Sequence, residues 1–295
     1  MALYNSITIK AYGKINLLLD IPGLRKDGYH QLNTVMQSVS CFDLLKISLK
    51  SGNGIEINCD KEGFPCDENN LIWKACVAFK DYTKIDFGGK ISIDVKKELP
   101  SQAGMAGGSA DCAATLHALN KMYATYLDEE ELCEIGVKLG ADVPFCLTGG
   151  TRLCQGIGEI THKLPSPNCC FIIVKPNVSI STPEAFKKFD LLKNPPRANL
   201  DMFLRSLATN NIYSQCLHMF NVLEFATDLD EIKSAKQKLM ELGAINSLMT
   251  GSGSAVFGVF NDLKYAEKTL NKLNEYAYKV VCEPVKTGYE IMEVR

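Results

Sequence analysis

No stretch of this 295-residue sequence is apolar for long enough to cross a bilayer. The clearest apolar run, 169–174, falls far short of the ~20 residues that a spanning helix needs. An excess of positive charge is missing too: 32 basic against 34 acidic side chains leave a formal charge of −2, which argues against a dedicated nucleic-acid binder. The opening residues lack the basic and long apolar regions of a signal peptide, so a cytoplasmic protein is the expectation. Cysteine is plentiful, at twelve, but no Cys-x-x-Cys occurs, and no pair of Cys or His residues has zinc-ligand spacing. The cysteines therefore read as reduced core residues. No Gly-x4-Gly-Lys-Ser/Thr, no Gly-x-Gly-x-x-Gly after the first strand and no His-Arg-Asp or Asp-Phe-Gly is present, which excludes the P-loop, dinucleotide-binding and protein-kinase scaffolds.

What is present suits an ordinary globular chain, 46% hydrophobic and 22% charged. Its length suggests roughly two domains at about 150 residues each. Residues 6–21 read as strand. Ile15, Leu17, Leu19 and Ile21 alternate there with Lys14, Asn16, Leu18 and Asp20, so a period of two puts the first set on the core face and Lys14 and Asn16 together on the other. Further strands are predicted at 31–49 and 90–99, and helices at 70–82, 109–123 and 128–139. The turn-rich 162–168 marks a domain boundary, dividing the chain into 1–165 and 166–295. Beyond it, 169–174 reads as a buried strand and 183–189 as a helix with Thr182 at its N-cap and Pro183 at its first position. Helical pieces follow over 199–220, then a helix at 230–242 that Gly243 ends. A glycine-containing strand region is predicted at 247–260, a helix at 263–276, and short strands at 280–281 and 291–294. The irregular mixture points to an α+β fold.

Five segments carry residues suited to chemistry. The run from Leu99 to Asp111 (Leu-Pro-Ser-Gln-Ala-Gly-Met-Ala-Gly-Gly-Ser-Ala-Asp) follows a strand and opens a helix. Small residues let backbone N–H groups approach phosphate at the positive end of a helix, with the Ser109 hydroxyl available to phosphate or Mg²⁺. The same residues also suit a tight turn capped by Ser109 or Asp111. Lys14 and Asn16 suit either a solvated strand face or a polar cleft. Asp142, in Gly140-Ala-Asp-Val-Pro-Phe-Cys146, suits either a helix start or a fixed carboxylate that accepts a proton. Met249-Thr-Gly-Ser-Gly-Ser-Ala255 suits either an anion-contacting loop or a bulged strand. Asp27-Gly-Tyr29-His30 suits a plain turn, or one that stacks on a base and bonds its edge.

Taken together, the order and spacing of Lys14-Ile-Asn16, the loop at 100–111 and Gly251-Ser-Gly253 resemble the three motifs of the galactokinase, homoserine, mevalonate and phosphomevalonate (GHMP) kinase superfamily. Within it, Lys14 to Asp20, Asp27 to His30, Gly140 to Phe145, Gly156-x-Gly-Glu159 and Met249 to Ser254 are similar to the 4-diphosphocytidyl-2-C-methyl-D-erythritol kinase family. The resemblance spans about residues 8–260. It implies an N-terminal domain like the second domain of ribosomal protein S5 and a ferredoxin-like C-terminal domain, with the active site between them. It also implies ATP with Mg²⁺ as co-substrate and a small-molecule alcohol, phosphorylated at its 2-hydroxyl, as acceptor. By matching motif, it makes Asp142 the catalytic carboxylate and Lys14 its partner. Ser101, Gln102, Ala103, Gly104, Met105, Ala106, Gly107, Gly108, Ser109, Ala110 and Asp111 become the phosphate wrap, and Asn70 and Leu71 border the adenine. Asn16, Tyr29, His30 and Phe186 become substrate contacts, His30 reading the cytosine edge and Phe186 sandwiching the base with Tyr29.

The chain departs from many relatives at Gln102, Ala103 and Ala106, where they carry more glycine, and at Tyr12-Gly13 before the lysine. Backbone N–H groups do the binding, so alanine serves wherever φ is negative; Tyr12-Gly13 is expected to alter packing alone. Three other readings compete: a superfamily kinase for homoserine or a mevalonate, a catalytically silent nucleotide binder, and an α+β domain whose glycine loops are only turns. Nothing in the pattern sets an oligomeric state.

Overall fold

The computed structural model describes residues 2–26, 28–158 and 160–295. Asp27 and Glu159, each part of a motif above, therefore lie outside the described residues. In chain order the first half runs β1 (Ser6–Leu24), β2 (His30–Lys50), β3 (Ile55–Cys59), α1 (Leu71–Thr83), β4 (Lys90–Lys96), α2 (Gly107–Met122), α3 (Glu129–Gly136), α4 (Val143–Thr148), β5 (Thr151–Gly156) and β6 (Ile160–Lys163). The second runs β7 (Cys170–Lys175), α5 (Thr182–Asp190), α6 (Leu200–Ala208), α7 (Ile212–His218), β8 (Phe220–Asn221), α8 (Leu223–Thr227), α9 (Asp230–Glu241), β9 (Asn246–Met249), β10 (Val256–Phe260), α10 (Leu263–Leu270), β11 (Tyr278–Cys282) and β12 (Tyr289–Val294).

β1 and β2 are 19 and 21 residues long, well beyond the usual 5–6. Their pairing shifts register between Tyr12 and Lys14, Asn16 and Leu18, and Asp20 and Gly23. Such bulges bend a strand and re-aim its side chains. Each strand thereby serves two neighbours. β2 pairs with β5 over Leu32–Gln37 and with β4 over Leu44–Lys50. β1 pairs with β12 near its start and with β8 near Leu18 and Leu19.

The second sheet is antiparallel, in the order β11-β7-β10-β9, with α10 crossing from β10 to β11 and α5–α9 lying between β7 and β9. That is a ferredoxin-like order, so the expected α+β fold with a ferredoxin-like second lobe is the observed one. One core lies between the first sheet and α1–α4. A second packs α9 and α10 on the other sheet. A third joins the lobes, bringing Ile15 and Leu17 of β1 against Phe171 and Phe257.

Several expectations need correction. A single cut after 165 does not describe the chain, because β12 returns to pair with β1. An uncovered β1 edge would leave a row of unpaired backbone groups. Tyr12 helps hold that return, its hydroxyl donating to Glu290 Oε2 at 2.6 Å. The region 247–260 is two strands around a turn, with Met249 paired to Val256; Gly251 and Gly253, at φ 56 and 88, make the reversal. Ser181, not Thr182, is the N-cap of α5, and the helix expected over 263–276 ends at Leu270. All twelve cysteines are free, but Cys66 is exposed and Cys41, Cys59, Cys133 and Cys169 are only partly buried, so not all are core residues. Among the described residues, no helix is long and apolar enough to cross a membrane.

Candidate active site

Lys14 and Asn16 do lie opposite the face that Ile15 and Leu17 give to the core, yet they meet no bulk solvent: they are 3% and 2% exposed. Two loops from distant parts of the chain cover them. The Lys14 N–H donates to Met105 O at 3.1 Å, in the loop before α2. The Asn16 N–H donates to Thr250 Oγ1 at 3.0 Å, in the turn between β9 and β10. The loops are tied to each other, Ser254 N–H to Gln102 O at 3.3 Å and Ala255 N–H to Ala103 O at 3.2 Å. Asn221 steadies the second loop by donating to Met249 O and Gly251 O, both at 2.8 Å.

Within that enclosure the side chains are ordered by a relay. Thr34 Oγ1 donates to Leu18 O at 2.7 Å and so accepts from Asn16 Nδ2 at 2.8 Å. This turns Asn16 Oδ1 toward the ammonium of Lys14, which donates to it at 2.7 Å. Lys14 Nζ lies 3.8 Å from Asp142 Oδ2. Asp142 occupies the N-cap position of α4, with Pro144 in the first turn, but its side chain makes no capping bond. The helix start expected of an aspartate before Val-Pro is therefore real, and the carboxylate is still not spent on it. At 36% side-chain exposure it faces the cleft.

The phosphate-loop candidate differs from expectation in its backbone. Neither Ser109 nor Asp111 caps α2; the N-cap is Ala106, in the left-handed region at φ 57, with no side-chain bond. Gln102 is also left-handed, at φ 49. The condition of negative φ is thus not met at Gln102 and Ala106, and each carries the left-handed cost of roughly 1–2 kcal/mol for a residue with a Cβ. Gly104 admits no side chain: φ is 72 and a Cβ would sit 2.0 Å from Thr250 O. Without a cap, the first N–H groups of α2 have no intrahelical partner and suit an anion.

Beneath that turn is a buried charge cluster that no sequence motif announced. Lys97, 5% exposed, donates to Asp111 Oδ2 at 2.7 Å and to Asp43 Oδ2. Asp43 is fully buried, and its Oδ1 also accepts the N–H groups of Glu98 at 2.7 Å and Leu99 at 2.8 Å. Asp43 thus joins β2 to the chain entering the loop, and Lys97 extends the link to α2. Burial pushes the Asp111 carboxyl above its ordinary range, opposed by Lys97 and aided by Asp43. Burial pulls Lys97 down, but the two carboxylates outweigh it and hold the ammonium above its usual value.

Lys14, Asn16, Thr34, Lys97, Asp111 and Asp142 border one cleft of about 710 Å³ between the lobes. Of the residues singled out from the sequence, it brings together Lys14, Asn16, Tyr29, His30, Asn70, Leu71, Asp142, Phe186 and every loop residue from Ser101 to Ser109, with Asp111. Ala110 is the exception, its side chain fully buried in the core under α2. The Asn70 side chain is committed to capping α1, accepting from Ile72 N–H at 2.9 Å and donating to Pro65 O. At another wall of the cleft, Phe186 packs on His30 at 4.9 Å between ring centroids, and Tyr29 is 61% exposed. Thr34, Asn221 and Thr250 also order the site. Of these, only Thr250 stood in a motif, because a buried hydrogen-bond relay leaves no local sequence signature.

Comparison with known proteins matches both halves of the chain to one family. The description "GHMP kinases N terminal domain" matches residues 70–150, and "GHMP kinases C terminal" matches 205–279. A 4-diphosphocytidyl-2-C-methyl-D-erythritol kinase of Clostridium botulinum is 42% identical over 272 residues, covering 91% of this chain and 96% of that one. Its counterpart in Lachnoclostridium phytofermentans is 41% identical over 277 residues, covering 93% of each. Among solved structures, a 4-(cytidine 5'-diphospho)-2C-methyl-D-erythritol kinase superposes with a TM-score of 0.79 at 27% identity, covering 93% of this chain and 98% of that one. A homoserine kinase from Cytophaga hutchinsonii reaches the same TM-score at 18% identity, covering 99% of each chain, which speaks to the fold alone. The chain belongs to the 4-diphosphocytidyl-2-C-methyl-D-erythritol kinase family of the GHMP kinases.

Proposed function

We propose that the protein transfers the γ-phosphoryl group of ATP to the 2-hydroxyl of 4-diphosphocytidyl-2-C-methyl-D-erythritol, a step in the non-mevalonate route to isoprenoid precursors. The observation that carries this reading is the meeting of Lys14 and Asp142, 3.8 Å apart, in a cleft also bordered by the glycine loop. Phosphoryl transfer asks a protein for positioning and charge stabilisation, with little covalent work. Asp142 accepts the proton of the attacking hydroxyl as the phosphoryl group arrives. Lys14, held by Asn16, offsets charge on the group in transfer. The uncapped first turn of α2 and the loop from Ser101 receive the ATP phosphates, and Asn70 and Leu71 border the adenine.

Magnesium suits this site as a companion of ATP, because it favours oxygen ligands from phosphate and water. Ser109 Oγ, on the first turn of α2 and in the cleft lining, would be the protein oxygen that joins them. When bound, the ion neutralises phosphate charge. In the reading proposed here, the base end of the substrate lies against Tyr29, His30 and Phe186. Anchoring a remote group in this way fixes the reacting hydroxyl.

The test is ADP release from ATP with the cytidylated methylerythritol, homoserine or mevalonate as acceptor. Turnover with the cytidylated alcohol alone is expected. Turnover with another alcohol would keep the mechanism and overturn the substrate. ATP binding without turnover of any alcohol would leave a silent nucleotide binder.

A further inference from the structure

The two lobes meet again where the chain crosses from the second sheet back to the first. Val39 of β2 and Pro284, just past β11, form an antiparallel bridge. Ser40 N–H donates to Glu283 O and Val285 N–H to Ser38 O, both at 2.9 Å. These bonds flank Val39 and Pro284, the pattern of a non-hydrogen-bonded pair. Further along the same register, Cys41 of β2 stands opposite Cys282, the last residue of β11. An advance of one pleat repeats the kind of pair. In such a pair the Cα atoms lie about 4.5 Å apart, with both side chains on one face. Disulfide-linked residues have Cα separations of about 4.4–6.8 Å.

The side chains agree with that register. Burial pushes the Cys282 thiol well above its ordinary range, and the next largest cause is the Cys41 side chain against it. The Tyr278 hydroxyl, also on β11, is pushed up by burial first and then by Cys41. Cys282 is 2% exposed, in the core that joins the lobes. Cys41 packs on that core but is only partly buried. One thiol is thus open to a small solute, and the other lies behind it.

We propose that Cys41 and Cys282 are a modification site: hydrogen peroxide joins them in a reversible disulfide that staples the two lobes. The Cys41 sulfur attacks the peroxide as its thiolate. The O–O bond breaks, water leaves, and Cys41 becomes a sulfenic acid. The Cys282 sulfur then attacks the sulfenic sulfur. The S–O bond breaks, and the departing oxygen leaves as a second water with the Cys282 proton. The thiol pair loses two electrons, and one peroxide is reduced to two waters. Burial keeps Cys282 protonated, so the second step is the slower one. The bond ties residues far apart in sequence, which restricts the unfolded chain and so favours the folded one. Neither cysteine stood in a motif, because β2 meets the end of β11 only in the tertiary structure.

The test uses the folded, fully reduced full chain. It is treated with a small excess of hydrogen peroxide, its remaining thiols are alkylated, and it is digested with trypsin without reductant. Trypsin releases 27–46 and 280–286, each with a single cysteine. The expected product is these two peptides linked, lighter than their sum by the two thiol hydrogens and separated again by dithiothreitol. Thermal unfolding of the oxidised wild type is expected about 4–8 °C above that of the reduced protein, and to return on reduction. Cys41→Ser, at the partly buried position, is expected to lose both the linked peptide and the shift, and Cys282→Ala to do the same. The peptide readout on the wild type needs no variant. Cys41 recovered as an alkylated thiol or a sulfinic acid, or linked to Cys169 or Cys170 in place of Cys282, would overturn the proposal. A linked pair with no rise in unfolding temperature would overturn the staple. No readout depends on an alcohol substrate, so this proposal and the substrate reading fail separately.

Discussion

The hydroxyl of Thr250 accepts the backbone N–H of Asn16 at 3.0 Å across 234 residues of sequence, and it lies within reach of Gly104 O at 3.3 Å. One buried side chain thus holds the lysine-bearing strand, the glycine loop and the β9–β10 turn in register. Thr250→Val keeps the shape and removes the acceptor, leaving the Asn16 N–H unpaired in a dry site. A loss of about 1–3 kcal/mol in stability is expected. kcat is expected to fall as well, because Lys14 and Asn16 shift together. Urea unfolding beside steady-state kinetics checks both; a stable variant of normal kcat would show that the strand is positioned without Thr250.

Asp142→Asn retains size and polarity but cannot take a proton. Turnover is expected to fall about 10²–10⁴-fold, the usual worth of general-base catalysis, with ATP binding retained. Isothermal titration with a non-hydrolysable ATP analogue and ADP-release assays separate the two effects. Near-normal turnover would remove Asp142 from the proton-accepting role.

Lys97→Met would leave Asp43 and Asp111 buried together without their cation. Breaking a buried pair from one side commonly costs about 3–5 kcal/mol, so thermal unfolding is expected at a markedly lower temperature. Asp43→Asn is the milder change, since Oδ1 can still accept Glu98 and Leu99 N–H. It is expected to raise the KM for ATP several-fold with little effect on the KM of the alcohol. Equal effects on both substrates would count against a link between this cluster and the phosphate loop.

The glycine loop makes opposite predictions at two neighbouring positions. Gly104→Ala places a Cβ 2.0 Å from Thr250 O at φ 72, so loss of ATP binding and of stability is expected. Ala106→Gly relieves a left-handed alanine at φ 57. The native-state gain of roughly 1–2 kcal/mol is partly offset by greater freedom in the unfolded chain. Thermal unfolding should place Ala106→Gly at or above the wild type and Gly104→Ala below it.

His117 makes stability depend on acid. It sits stacked on Tyr289 at 3.7 Å between ring centroids, with Nε2 3.0 Å from Leu147 O. Burial pulls its pKa down from 6.5 to about 4, opposed by that hydrogen bond. The unfolded chain therefore takes up a proton first as pH falls. The contribution is complete above about pH 6.5 and is lost progressively down to about pH 4, by at most roughly 3 kcal/mol. Urea unfolding at pH 7 and pH 4.5 should show a smaller drop for His117→Phe than for the wild type. Equal drops would mean that His117 is not the group responsible.

Much of this arrangement was legible locally. The alternation at 15–21 identified the core face of β1 because that face repeats every second residue. The small residues of 103–108 marked a close backbone approach because few other residue types allow one. Gly243 marked the end of α9, and it is left-handed at φ 91. These signals lie within a few residues of each other, where covalent geometry and local sterics decide the outcome.

Tertiary structure alone decided the rest. Lys14 reads equally as a solvated lysine until the loops at 101–106 and 250–255 close over it. Asp142 reads as a helix start until α4 brings it beside that ammonium. The return of β12 to β1, the Asp43–Lys97–Asp111 cluster and the meeting of Cys41 with Cys282 all join residues far apart in sequence. Contacts between such residues depend on strands that bend at bulges and on lobes that pack through a shared core. Local propensity sets which elements form; the burial of apolar faces against one another sets which polar side chains are left to meet in the cleft.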